Sequence, residues 1–380
     1  MRKFAVIGSG MQGIASAFDI AKFGNPSEII ICDYNYKLAV TGAKRINSLM
    51  KNEIVKAKQI DATNPDELRE IIKNSVSVIA ATPYYLNPQI AEICVEMGAH
   101  YSDFGGNMDV SAKVLEMSAL AKSKGVSLIP DCGIAPGTVN IFARKLIDED
   151  PSIHSIHIFC GGIPVKEELP FGYKLVFSPE GLINEYLGES IILENSKISR
   201  RKTLTEVEDI EFKKLNKVFD AFHTSGGAST APFTFKDNLK NYTYKTCRYK
   251  GHISFIQGLE ELGYFSSEKI KIGDEEIIPR KVTEKLFTEK FDFPKEKDML
   301  IIKVISKSEN GTKEYETVDL EDEYGFTAME RTTGYSGALV AIMQADGEIE
   351  PGADVVEKII PAAKYIKELE KRNIVFEKMN

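Results

Sequence analysis

GSGMQG, at Gly8–Gly13, is a glycine-rich motif and the strongest fold signal in this chain. It follows a short apolar run, Phe4–Ile7, and opens a helical pattern at Ile14–Phe23. The first glycine permits a tight turn, the second lets the backbone approach a phosphate group, and the third allows close packing of the helix on the strand. The N-terminus of the helix then presents free N–H groups to an anion. Together these features predict the first unit of a dinucleotide-binding Rossmann domain.

Outward from this stretch, short apolar strands alternate with helical patterns to about residue 140. That order is typical of α/β proteins, in which helices cover both faces of a parallel sheet. Beyond Pro151 the strands are longer and alternate strongly, Asn310-Gly311 indicates a hairpin, and Glu206–Phe222 is predicted to be helical. We expect a Rossmann domain at 1–140, an α+β substrate-binding and oligomerisation domain with a mixed or antiparallel sheet at 141–326, and C-terminal helices at 327–380, one of them spanning Val355–Arg372, that pack back on the first domain.

An acidic residue, Asp33, ends the second predicted strand at the expected distance of about 20 residues from the glycines. Its carboxylate would accept hydrogen bonds from the ribose hydroxyls and repel a 2′-phosphate, which favours NAD over NADP as the cofactor. Lys37 weakens this preference slightly, and a helix cap or turn is the alternative role of Asp33. Asp61 is as readily a turn residue as an adenine contact. The predicted cofactor-binding residues are Gly8, Gly10, Met11, Gln12, Gly13, Asp33, Asp61, Ala81 and Thr82.

The 380-residue chain has a formal net charge of -8, which excludes several classes of partner. A nucleic-acid-binding protein is expected to be basic, and an acidic chain has no general attraction to anionic lipid. No apolar run approaches the roughly 20 residues that span a bilayer. The five cysteines are far apart, with no CxxC pair and no metal-ligand spacing. We therefore expect a soluble cytoplasmic protein with reduced thiols, no metal, and neither nucleic acid nor membrane as a partner.

Several longer blocks resemble a known family. They are DCGIAPG at Asp131–Gly137, GGIP at Gly161–Pro164, VFSPEG at Val176–Gly181, FHTSGG at Phe222–Gly227, YKTCRYKGH at Tyr244–His252, and TAM with TTGY between Thr327 and Tyr335. Together they resemble the saccharopine dehydrogenase-like superfamily, and within it most closely the lysine 6-dehydrogenases. The resemblance runs from the first strand to about Gly347. It implies an NAD(P)-dependent oxidoreductase that removes the side-chain amine of L-lysine by hydride transfer and imine hydrolysis.

The chemistry of an amino-acid substrate selects the remaining candidates. Arg248 could pair bidentately with the substrate carboxylate, and a structural ion pair is its alternative role. Asp103, which ends a Rossmann strand before two glycines, is the leading candidate for holding or deprotonating the substrate amine, with a loop cap as the alternative. His252 is a second catalytic candidate or a structural histidine. Thr224, Ser225 and Tyr173 are candidates for substrate contacts, with loop or sheet roles as their alternatives.

Three functions compete on this sequence. The first is the lysine 6-dehydrogenase-like reaction, and the second is an imine reductase of the saccharopine or carboxynorspermidine type. The third is a non-catalytic NAD-binding protein. For the enzymes we expect a small amino-acid substrate and a homo-oligomer, either a dimer or a tetramer.

Overall fold

The computed structural model of the chain describes residues 2–380. Up to Glu149 strands alternate with helices, as the sequence pattern predicts. The strands are β1 (Lys3–Ile7), β2 (Glu28–Asp33), β3 (Val55–Gln59), β4 (Ser75–Ala80), β5 (His100–Asp103) and β6 (Ser127–Ile129). The helices are α1 (Met11–Phe23), α2 (Tyr36–Met50), α3 (Pro65–Ile72), α4 (Asn87–Met97), α5 (Met108–Leu115), α6 (Ser118–Lys124) and α7 (Thr138–Glu149).

These six strands form a parallel sheet in the order β6-β5-β4-β1-β2-β3. Alternate residues of β1 enter different apolar clusters, because Phe4 and Val6 face one side of the sheet and Ala5 and Ile7 the other. Both faces are therefore buried, as in a doubly wound fold. The strand order reverses between β1 and β4, and ligands of such sheets bind in the crevice at that point.

The second half of the chain builds a larger mixed sheet. The elements of this half are, in chain order, β7 (Ser155–Pro164), α8 (Pro179–Tyr186), β8 (Glu189–Glu194), β9 (Lys197–Lys202), β10 (Glu208–Phe212), β11 (Lys217–Phe222), α9 (Ala231–Thr234), β12 (Asn241–Arg248), α10 (His252–Glu261), β13 (Ile270–Ile272), β14 (Glu275–Ile277), α11 (Pro279–Lys290), β15 (Asp298–Ser308) and β16 (Gly311–Leu320). The main strands follow the order β10-β11-β12-β7-β15-β16, and only the pair β12–β7 among them is parallel. The predicted fold class, a parallel Rossmann sheet with a second mixed-sheet domain, is confirmed.

The helix predicted at Glu206–Phe222 is wrong, because this segment forms the antiparallel hairpin β10–β11. Ile210 and Phe212 alternate with exposed residues and pack in one apolar cluster with Phe219 and Ala221. This period of two is the strand pattern. The charged residues of the same segment, Glu211, Lys213, Lys214 and Lys217, also fit the i, i+3 and i, i+4 spacing of a helix. The sequence pattern alone therefore does not separate a helix from a strand here. By contrast, the hairpin predicted around Asn310-Gly311 is confirmed as β15–β16.

The C-terminal segment contacts both sheets. Its elements are α12 (Ala328–Ala345), β17 (Gly352–Ala353), α13 (Val356–Ile359), α14 (Ala362–Glu370) and β18 (Glu377–Lys378). β17 lies beside β6 and β18 beside β16, while Gly334 of α12 lies so close to Ala15 of α1 that a Cβ would clash. The single helix predicted at Val355–Arg372 is wrong, since Pro361, which has no N–H, separates α13 from α14. None of the helices within residues 2–380 is long and apolar enough to cross a membrane.

Candidate functional site

The glycine-rich turn between β1 and α1 is shaped for a ligand. A Cβ at Gly8, where φ is +101°, would overlap the carbonyl oxygen of Ala81, and a Cβ at Gly13 would overlap that of Gly8. Both positions therefore require glycine for close packing. Gly10 differs, because nothing lies within 4 Å of its ideal Cβ position. The turn is thus closely packed toward the sheet and open at the position where a pyrophosphate is expected.

Asp33, at the end of β2, is tied to this turn. Its Oδ2 accepts the backbone N–H of Ser9 at 2.7 Å, and its Oδ1 accepts that of Asn35 at 2.8 Å. The partly exposed carboxylate lies beside the glycine turn, as a ribose-binding acidic residue does in a Rossmann domain. Asp61 lies farther along the sheet edge, and its Oδ1 accepts the N–H and the hydroxyl of Thr63, which lower the pKa of Asp61. Its visible contacts are those of a turn.

A cavity of about 690 Å³ opens between the Rossmann crevice and the loops of the second sheet. The charged residues that line it are all acidic: Asp131, Glu180 and Glu185. The other lining residues, which come from both halves of the chain, are Gly10, Met11, Gln12, Ala81, Thr82, Pro83, Tyr84, Phe104, Gly106, Asn107, Met108, Ala135, Pro136, Phe177, Ser178, Gly181, Asn184, Ser225, Gly226, Gly227 and Ser229.

Two polar groups in the cavity wall suit a nicotinamide cofactor. The buried atoms Oε1 of Gln12 and Oγ1 of Thr82 have no hydrogen-bond partner within residues 2–380. Thr82 follows β4 and Gln12 begins α1, so both lie at the crevice of the sheet. Buried polar groups without partners are costly and rare, which indicates that a ligand satisfies them. Together with the open position at Gly10, these groups fit a dinucleotide.

Two aspartates lie buried where β5 and β6 end. Asp103 accepts the hydroxyl of Tyr101 at 2.7 Å, the N–H of Gly105 at 2.6 Å and the N–H of Asp131 at 3.1 Å. Burial, with the nearby charge of Asp131, raises the pKa of Asp103 to about 7. Asp103 itself is not among the cavity-lining residues. The predicted amine-binding aspartate therefore lies one layer behind the wall.

Asp131 is the aspartate that faces the cavity, although from the sequence it is only a candidate cap for the helix that begins near Pro136. Its carboxylate accepts the hydroxyl of Ser229 at 2.6 Å and that of Ser111 at 3.0 Å. Burial raises the pKa of Asp131, while these two hydrogen bonds oppose the rise. Asp131 follows a Rossmann strand within one of the family-like blocks, and that position was the available signal.

Arg248, at the end of β12, is only 2% exposed and lies directly behind Glu185. Its Nη2 is 3.3 Å from Oε2 of Glu185, its Nη1 donates to the carbonyl of Cys247, and its Nε donates to the hydroxyl of Tyr186. The guanidinium also lies 5.0 Å from the ring centre of Tyr173. Burial raises the pKa of Glu185, and the charge of Arg248 opposes that rise.

His252 supports this arginine from outside the cavity. Its Nδ1 is 2.8 Å from the carbonyl of Phe171 and its Nε2 is 2.9 Å from the hydroxyl of Tyr186. Both ring nitrogens are therefore engaged, and burial beside Arg248 lowers the pKa of His252 to about 3. This environment holds a neutral imidazole outside the cavity, which is the position of a structural histidine.

The remaining predicted substrate contacts divide into two groups. Ser225 lines the cavity, although its hydroxyl donates to the carbonyl of Asn184 at 2.8 Å. Thr224 is buried and shares a hydrogen bond with Thr246. Tyr173 is fully buried, and its hydroxyl has no partner within residues 2–380. Thus only Ser225 of these three lies at the cavity surface.

The parallel sheet, the glycine turn and the open crevice define a nicotinamide-dinucleotide-binding protein of the Rossmann class. Residues 4–129 match the family described as the saccharopine dehydrogenase NADP binding domain, and residues 133–375 match the saccharopine dehydrogenase C-terminal domain. The chain belongs to the saccharopine dehydrogenase family, which confirms the resemblance at the level of the superfamily.

Individual relatives are distant. The chain is 24% identical over 359 residues to the mitochondrial alpha-aminoadipic semialdehyde synthase of Rattus norvegicus, an alignment that covers 75% of this chain and 38% of the relative. The chain thus spans less than half the length of that relative. Apo saccharopine dehydrogenase (L-Glu forming) from Saccharomyces cerevisiae has the same fold, with a TM-score of 0.79, 17% identity, and coverage of 100% of this chain and 99% of that one. The homospermidine synthase of Legionella pneumophila, solved with NAD, gives 0.68 at 14% identity, covering 100% and 91%.

Proposed function

We propose that this chain is an NAD-dependent dehydrogenase that oxidatively deaminates the side-chain amine of L-lysine. The observation that carries the proposal is the charge of the cavity, whose charged lining residues are three carboxylates, one of them paired with the buried guanidinium of Arg248. Free lysine at neutral pH carries two ammonium groups and one carboxylate. Lysine therefore carries a net positive charge, which is opposite in sign to the acidic lining of the cavity.

In this proposal residues of the glycine turn and the crevice would hold NAD. Gly10 would leave room for the pyrophosphate, Asp33 would accept the ribose hydroxyls, and Gln12 and Thr82 would bond the nicotinamide end. When bound, NAD supplies the acceptor for a hydride. The acidic charge of Asp33 disfavours the additional phosphate of NADP, which is the reason for preferring NAD.

Asp131 is the group that acts on the substrate amine in this proposal. It binds the ε-ammonium and takes one of its protons, because the nitrogen must offer a lone pair before the adjacent carbon can lose a hydride. The C6–H bond breaks with its electron pair, and a carbon–nitrogen double bond forms. Water then adds to the imine carbon, ammonia leaves, and the resulting semialdehyde can cyclise. Asp103 acts behind Asp131, since it accepts the backbone N–H of that residue.

An imine reductase of the carboxynorspermidine type is the second candidate, because an amine-rich ligand also suits an acidic cavity. Saccharopine fits less well, since it carries several carboxylates and would face like charges. The discriminating product is ammonia, which oxidative deamination releases and the imine reductases do not. A non-catalytic NAD-binding protein would bind the cofactor without turnover.

A screen of amino acids and diamines for NADH production, with ammonia measured in parallel, tests the proposal. We expect L-lysine to give NADH and ammonia in equal amounts. Consumption of NADH or NADPH when an amine and a semialdehyde are supplied together, without release of ammonia, would instead identify an imine reductase. NAD binding with no turnover of any substrate would contradict both enzymatic functions.

A further inference from the structure

Glu185 occupies an unusual position between a buried cation and the cavity. It lies in the last turn of α8, and its side chain is 32% exposed while that of Arg248 is 2% exposed. Within residues 2–380, Arg248 is the only hydrogen-bond partner of the Glu185 carboxylate. One oxygen thus contacts the guanidinium, and the remainder of the carboxylate is available to a ligand.

Arg248 also retains donors for a ligand. A guanidinium has five N–H groups, and the three hydrogen bonds to Tyr186, Cys247 and Glu185 leave two of them free. The same contacts, with the ring of Tyr173, fix the orientation of the guanidinium. Because Arg248 is 2% exposed and lies behind Glu185, a second carboxylate reaches these donors when the partly exposed Glu185 side chain turns toward the cavity.

We infer that Glu185 and Arg248 together form a binding site for the zwitterionic head of an α-amino acid, in which Arg248 takes the carboxylate and Glu185 takes the α-ammonium. An α-amino acid carries its ammonium and its carboxylate on one carbon. Its binding site therefore needs an acidic and a basic side chain close together, and Glu185 and Arg248 are such a pair. Asp131 then receives the distal amine. This inference rests on the proposed function and adds to it a residue that distinguishes α-amino acids from simple ω-amino acids.

Two other roles of Glu185 predict different behaviour. A glutamate that only neutralises buried Arg248 would affect every substrate with a carboxylate equally. A glutamate that blocks Arg248 in place of the substrate carboxylate would, on removal, improve lysine binding. Only if Glu185 contacts the α-ammonium directly does the effect of removing its carboxylate depend on whether the substrate has an α-amino group.

The test compares L-lysine with 6-aminohexanoate, which lacks only the α-amino group, on the wild-type protein, Glu185→Gln and Glu180→Gln. The quantity measured is the ratio of kcat/KM for the two substrates, which does not depend on the fraction of active protein. We expect wild type to favour lysine, and Glu185→Gln to reduce that preference roughly 10- to 100-fold, as loss of a hydrogen bond to a charged group does. Glu180→Gln removes the same charge from the same cavity but has no contact with Arg248, so it should change the ratio much less than Glu185→Gln does.

An unchanged ratio in Glu185→Gln, or tighter binding of lysine by that variant, would overturn the inference while leaving the proposed function intact. If wild-type protein oxidises neither compound, the proposed function fails and the inference fails with it. Should Glu185→Gln not fold, Glu185→Asp keeps the charge but shortens its reach. The ratio should fall in that variant also, and a wild-type ratio there would overturn the assignment.

Discussion

The backbone N–H of Asp131 donates to Oδ1 of Asp103 at 3.1 Å, so two buried aspartates lie together at the carboxyl ends of neighbouring strands. Only Asp131 reaches the cavity. In the proposed reaction Asp131 contacts the substrate and Asp103 positions Asp131. Mutation of each residue can distinguish the two roles.

Asp131→Asn should lower kcat for lysine by about 10²- to 10⁴-fold, which is the usual contribution of a general base. Asp103→Asn should lower turnover less, because its effect passes through Asp131. Neither change should weaken NAD binding as much as turnover, since neither residue contacts the glycine turn. Steady-state kinetics and a fluorescence titration with NADH measure both effects. Wild-type turnover in Asp131→Asn would remove this residue from the mechanism.

Folding stability should depend on pH through Asp103. An unfolded aspartate ionises near pH 4, whereas burial and the charge of Asp131 raise the pKa of Asp103 in the folded protein to about 7. Between these values the folded state holds a proton that the unfolded state lacks, so stability falls as the pH rises. Asp103→Asn removes this titration. Relative to wild type, the Tm of Asp103→Asn should therefore rise between pH 5 and pH 8, by an amount that corresponds to roughly 1–4 kcal/mol of unfolding free energy. A difference in Tm that does not change with pH would contradict the assigned pKa.

Asp33→Ala should weaken NAD more than NADP, because the carboxylate accepts ribose hydroxyls but repels a 2′-phosphate. A hydrogen bond to a charged group contributes about 1.5–3 kcal/mol, which corresponds to a loss of roughly tenfold or more. Dissociation constants for both cofactors provide the measurement. The Asp33 carboxylate also accepts the N–H of Ser9 in the glycine turn. Asp33→Asn keeps an acceptor for that N–H but loses the charge, so it is the matched control that separates the two roles of Asp33. Equal losses for both cofactors, or a wild-type preference for NADP, would refute the assignment.

Arg248→Ala should raise KM for lysine strongly, since truncating one partner of a buried charged pair costs about 2–5 kcal/mol. NAD affinity should stay unchanged, because the hydrogen bonds of Arg248 run to Tyr186, Cys247 and Glu185 and not to the glycine turn. Pentane-1,5-diamine, which has no carboxylate, is the control and should lose little on this variant. If Arg248→Ala still discriminates lysine from the diamine as wild type does, the carboxylate binds elsewhere.

The sequence predicted those features whose signals are local. The glycine turn at Gly8–Gly13, the hairpin at Asn310-Gly311 and the helix that begins after Thr327 each depend on a few adjacent residues, and each is present. Glu206–Phe222 was misassigned because its charged residues fit two periodicities, and only the pairing of β10 with β11 decides between them.

The site was less accessible to prediction because its contacts are distant in sequence. Asp131 contacts Ser229 at a separation of 98 residues, and Glu185 contacts Arg248 at a separation of 63. Arg248 and Asp103 were identified from their chemistry and strand positions. The residues that stand between them and the cavity, Glu185 and Asp131, required the tertiary structure. The domain boundaries at residues 140 and 326 and the homo-oligomer remain predictions.

In the proposed reaction, the carbon beside the side-chain amine of lysine loses the hydride. Lysine deuterated at C6 and lysine deuterated at C2 should be oxidised separately with NAD, and the reduced cofactor analysed by mass spectrometry. Deuterium should reach the cofactor from C6 and not from C2, with ammonia released in the same amount. Deuterium arriving from C2, or reduced cofactor without deuterium from the C6-labelled substrate, would contradict the proposed reaction.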